Sequence, residues 1–131
     1  MNQAPASFTS KTLLYWLCGA FALALVLIGL LAIVAPANAA ILFGLSASTN
    51  EAIPWVRLAG VRDVALGLIF FTMTVLKQGR ATGILMLLTA VVPVADVVTV
   101  FLRSGLGYPV FIHGSGILFL LVVGTLLVRS K

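Results

Sequence analysis

Arg57, Arg62, Asp63, Asp96 and His113 are the residues of this chain whose types could do chemistry. Arg57, Arg62 and Asp63 head the run RLAGVRDVALGLIFFTMT, residues 57–74, which is otherwise apolar and continues so to Leu76. A guanidinium among carboxyls can hold the polar head of an amphipathic small molecule. With Asp63 or Asp96 as acid or base and Arg62 as electrostatic stabiliser, the same set could isomerise or cyclise a lipophilic substrate. The plainest alternative is structural, the charges serving only to tie helices together. Other chemistries lack their residues. Cys18 is the single cysteine, so an internal disulfide or a thiolate metal site is excluded, and a small packing role in the first helix is expected. His113 has no second clustered ligand, so no metal is expected. Ser115, two positions on, faces another way, so the two form no nucleophilic dyad. Phosphate-binding glycine motifs are missing, and no cofactor is expected.

Composition decides what must position these groups. Of 131 residues, 62% are hydrophobic and 8% charged, against about 25% charged in soluble domains. A water-soluble domain of this size could not bury so much apolar surface. The class is therefore an all-α integral membrane protein. A net charge of +5 is a feature of nucleic-acid binders, but here the basic residues punctuate the apolar runs as topology signals do. No nucleic-acid partner is expected; the bilayer is the partner.

Four spans are predicted, at about residues 13–35, 54–76, 81–102 and 109–128, in a single four-helix domain covering residues 1–131. Leu13 to Ala35 has 23 uncharged residues, enough for the ~20 that cross a bilayer and too long for a signal-peptide core. It is read as a true first span in spite of the Ala-rich stretch Pro36–Ala40. Ile41–Leu45 is too short to cross, and Ser46–Glu51 reads as polar loop. Lys77-Gln78-Gly79-Arg80 is a tight turn, with Gly79 the candidate for a left-handed helix end. Pro93 interrupts the third span and deprives the Thr89 carbonyl of its amide partner. Four spans put both termini on one side, with Lys11, Lys77, Arg80, Arg129 and Lys131 against Arg57 and Arg103 on the other. The positive-inside rule then makes both termini cytoplasmic, in an inner or plasma membrane. Tyr15, Trp16, Trp55 and Tyr108 all fall at predicted interfaces.

A helical rise of ~1.5 Å per residue puts Arg62 and Asp63 roughly 12–14 Å below the outer boundary and Asp96 roughly 10 Å. Arg57 and His113 form an upper tier roughly 5 Å down. A charge at the centre of a span costs at least ~2.5–3.5 kcal/mol, so such groups face inward and pair. Matched depth pairs Arg62 with Asp96 across the second and third helices. Adjacent residues point about 100° apart, so Arg62 and Asp63 are not expected to neutralise one another. Asp63 would take donors from His113, Ser115 or Cys18 instead, which leaves it as the candidate acid. Asp63 shares a face with Gly60, Gly67 and Phe70, a stripe that admits close helix approach. Gly114 and Gly116 are likewise expected to serve tight packing.

The stretch Gly60-Val61-Arg62-Asp63-Val64-Ala65-Leu66-Gly67-Leu68, with Ala95-Asp96 late in the third helix, resembles small four-helix membrane proteins of unknown function near the DoxX-like group. Pro36 after the first helix and Phe43-Gly44 fit the same pattern. The resemblance implies a four-helix bundle in which Arg62, Asp63 and Asp96 belong together, and it implies no reaction. DoxX-like relatives are associated with redox or accessory membrane complexes, yet the lone Cys18 supplies no dithiol. The expected function is thus a non-enzymatic membrane protein. Its polar pocket in the outer half, formed by Arg57, Arg62, Asp63, Asp96 and His113, binds an amphipathic small molecule or supports a complex as accessory subunit. A lipophilic ligand, a membrane-protein partner and a second copy of the chain are all open. A membrane enzyme using Asp63, Asp96 and Arg62 is the alternative. A small proton-coupled transporter fits less well, because the first helix has no carboxylate.

Overall fold

A computed structural model describes residues 10–42 and 52–130, and these are helical almost throughout. Helix α1 spans Ser10–Val34 and α2 spans Pro36–Leu42. Helix α3 covers Ala52–Val75, α4 Gly79–Thr89, α5 Val91–Ser104 and α6 Tyr108–Arg129. Four helical segments are long and apolar enough to cross a membrane: Lys11–Val34, Ala52–Val75, Gly79–Ser104 and Tyr108–Arg129. Each lies within two residues of its expected bounds. Leu27 and Leu118 leave 57% and 65% of their surface uncovered, which only a lipid solvent accommodates at this density. The protein is a small integral membrane protein.

The third span is two helices because of Pro93. Without its amide hydrogen the ladder skips the Thr89 carbonyl, and the next bond, from Val94 N to the Ala90 carbonyl, stretches to 3.3 Å. Ala90 keeps helical dihedrals, φ −57° and ψ −21°, so the span continues across the break. Two parts of the chain differ from expectation. The stretch Pro36–Ala40, which follows the predicted end of the first span, is helical: α2 turns Ala39 and Ala40 against Ala32 and Val56 in a small buried cluster. The turn after α3 places Lys77, not Gly79, in the left-handed region, at φ 53°. Lys77 N bonds the Thr74 carbonyl and Gln78 N the Met73 carbonyl, both at 3.0 Å, which satisfies two carbonyls at the helix end. The expected polar loop Ser46–Glu51 and the N-terminal segment before Ser10 lie outside the described residues.

In lipid, helices gain little from burying apolar side chains against one another, so small residues that let backbones approach take over. Helix α1 packs mainly on α3, and α4 and α5 pack on α6. Glycine lies at both main crossings. A Cβ on Gly60 would stand 2.7 Å from the Gly29 carbonyl oxygen, and one on Gly67 would stand 2.7 Å from that of Ala22. In the other pair a Cβ on Gly83 would stand 2.7 Å from the Gly124 carbonyl. Cys18, Ala22, Phe70, Met86, Leu120 and Leu127 join the two pairs in a common core. Cys18 is fully buried, its sulfur 3.8 Å from that of Met86, as a small packing residue should be.

Candidate functional site

The buried face of α3 repeats Val56, Gly60, Asp63, Gly67 and Phe70. The glycines that bring α1 close therefore also carry Asp63 inward, and its side chain is only 7% exposed. Arg62 is next to it and half-buried. Its Nε donates to Asp63 Oδ1 at 3.0 Å, and its Nη2 donates to Asp96 Oδ2 at 3.4 Å. His113 Nδ1, from α6, lies 3.8 Å from the same Asp96 oxygen. One guanidinium thus spans two carboxylates, and an imidazole closes the group from the far side.

Part of this differs from the reading by helical angle. Arg62 and Asp96 do come together, at the long end of hydrogen-bonding range. Arg62 and Asp63 nevertheless make the shorter contact, because the long arginine side chain lets Nε turn back while its tip reaches α5. Asp63 thereby has a cationic donor of its own. Neither Ser115 nor Cys18 serves Asp63: the Ser115 hydroxyl donates to the Ile112 carbonyl, and Cys18 faces Met86. His113 joins the Arg62 tier, not an upper one. Arg57 is exposed.

The four polar side chains border a cavity of about 230 Å³ to which every span contributes. Its apolar wall includes Phe21 and Leu25 of α1, Leu66 of α3, Pro93 of α5 and Leu120 of α6. Thr89, at the break in the third span, also faces it. A smaller hollow of about 110 Å³ shares Arg62, Asp96 and His113 and adds Trp55, Thr99 and Val100. The polar group stands between the two hollows along α3. Gly116 lines the larger cavity, and a Cβ on Gly114 or Gly116 would meet nothing within 4 Å. These glycines leave space instead of closing it, contrary to the packing role expected of them. Sequence reasoning missed Gly116 as a cavity residue, because a glycine that faces a void has the same sequence signature as one facing a backbone.

A family model described as a domain of unknown function, DUF4267, matches residues 22–127. The chain belongs to that family. No curated protein and no solved structure matches it. The DUF4267 segment takes in Arg62, Asp63, Asp96 and His113 together, along with all but the first part of α1. It brings no reaction, ligand or partner, and it carries no link to the DoxX-like group suggested by Gly60–Leu68.

Proposed function

We propose that this DUF4267 protein is a non-enzymatic membrane protein that binds an amphipathic small molecule, its polar head on Arg62, Asp63, Asp96 and His113. The supporting observation is the cavity of about 230 Å³ with these four groups at one end and apolar side chains along the rest. Two carboxylates against one guanidinium leave acceptors in excess, which favours a head that donates hydrogen bonds or carries positive charge. Under the acid–base alternative, Asp63 or Asp96 would act as acid or base with Arg62, which donates to both, as electrostatic stabiliser. The DoxX-like likeness is compatible with an accessory role beside a membrane complex, without redox chemistry of its own.

The test uses octylamine, octanol and octanoate as probes of matched apolar length on the purified full chain. Thermal stabilisation of the wild type should rank octylamine above octanol above octanoate. In Gly116→Leu, which fills the cavity, octylamine affinity should fall by roughly tenfold or more, about 1.4 kcal/mol. Gly114→Ala, on the same helix but outside the cavity lining, should respond as the wild type does. Equal responses of wild type and Gly116→Leu would remove the cavity from the reading, and a preference for octanoate would reverse the assignment of the head.

On this reading both termini lie on the cytoplasmic side, supported by the five basic residues Lys11, Lys77, Arg80, Arg129 and Lys131 against Arg57 and Arg103. A reporter fused after Lys131 should be active only in the cytoplasmic format. An external signal would invert the topology and place the polar group in the inner half.

A further inference from the structure

At the opposite end of α3 from Trp55, a groove of about 420 Å³ opens between α1 and α3. Lys11, Tyr15 and Trp16 line it from α1, Phe71 from α3 and Lys77 from the turn that follows. Its lining contains two ammonium groups and no carboxylate. Lys77 holds the left-handed conformation that favours glycine, at φ 53°, although Gly79 is two residues away. The Tyr15 hydroxyl donates to the Lys77 carbonyl at 3.0 Å and pins the turn against α1. A side chain kept at a disfavoured backbone position points to use. Trp16 and Phe71 leave 69% and 53% of their surface uncovered beside the lysines, a rim suited to acyl chains with an amphipathic ring at headgroup level.

We propose that this groove binds an anionic phospholipid, its phosphate between Lys11 and Lys77 and its chains along Trp16 and Phe71. Charge complementarity selects an anion, and the uncovered aromatic flank selects one that carries acyl chains over a free ion. The site is distinct from the Arg62 cavity and does not depend on what that cavity holds.

Native mass spectrometry of the full chain with phosphatidylglycerol or phosphatidylcholine of identical chains tests this. Phosphatidylglycerol should be retained preferentially. Its affinity should fall roughly fivefold for each lysine removed and roughly thirtyfold for both. Lys11→Gln removes one. Lys77→Gly removes the other while relieving the left-handed backbone, so the variant should unfold no more readily than the wild type and loss of lipid cannot be ascribed to loss of fold. Arg80→Gln, at the start of α4 three residues on but outside the groove, should keep full retention. Wild-type retention in the double variant would overturn the proposal, as would an equal loss in Arg80→Gln, which would mean diffuse attraction. Displacement of the lipid by a large excess of inorganic phosphate would identify a free-anion site and overturn the lipid assignment.

Discussion

Arg62→Met should destabilise the protein by ~3–5 kcal/mol, more than any other single change in the polar group. Among the described residues, Arg62 is the only cation touching both Asp63 and Asp96, at 3.0 and 3.4 Å. Its removal leaves two carboxylates in an apolar bundle without their shared guanidinium, with His113 Nδ1 3.8 Å from Asp96. Asp63→Asn should cost less, because Arg62 keeps Asp96. Asp96→Asn should cost least: its side chain is 27% exposed against 7% for Asp63, and the shorter Arg62–Asp63 contact survives. The triple change Arg62→Met, Asp63→Asn, Asp96→Asn should recover much of the loss, since no buried charge remains to be compensated. Unfolding free energies from denaturant titration in mixed micelles give the ranking. An Asp96→Asn penalty as large as that of Arg62→Met would show Asp96 to be the hub. A triple variant no better than Arg62→Met would show that shape, not charge, is what Arg62 supplies.

The spans were legible because hydropathy and length are properties of whole segments, insensitive to any one side chain. The stripe Gly60–Asp63–Gly67–Phe70 was legible for a related reason: helical periodicity fixes which residues share a face, and α3 buries that face. Depth along the helices also brought Arg62 to Asp96. What depended on side-chain length or on local competition was not legible. The direction of a Cα–Cβ bond says that Arg62 and Asp63 diverge, yet an arginine is long enough to turn Nε back to its neighbour. The left-handed residue after α3 is Lys77 because the hydrogen bonds to Thr74 and Met73 fix the position, whatever residue type occupies it. Ala39 and Ala40 carry too little apolar surface to announce a helix, and α2 forms by docking on Ala32 and Val56.

Among the glycines, Gly60→Ala should separate the fold from its cavity most sharply. The added methyl would stand 2.7 Å from the Gly29 carbonyl oxygen and 2.8 Å from the Ala32 Cβ. Overpacking a well-filled contact costs ~1–3 kcal/mol and sometimes more. Backbone on one side and a Cβ on the other leave no flexible group to give way, so a penalty of about 3 kcal/mol is expected. Gly114→Ala and Gly116→Ala should instead stabilise by roughly 0.5–1 kcal/mol, because alanine is the better helix former and nothing obstructs the methyl. Adding Ala32→Gly to Gly60→Ala should restore part of the loss. It removes the methyl contact and leaves the one with the Gly29 carbonyl, so full recovery is not expected. Unfolding of these variants in one micelle system decides the matter. If Gly60→Ala proves as harmless as Gly114→Ala, α1 and α3 are not held at backbone contact, and the inward placement of Asp63 needs another cause.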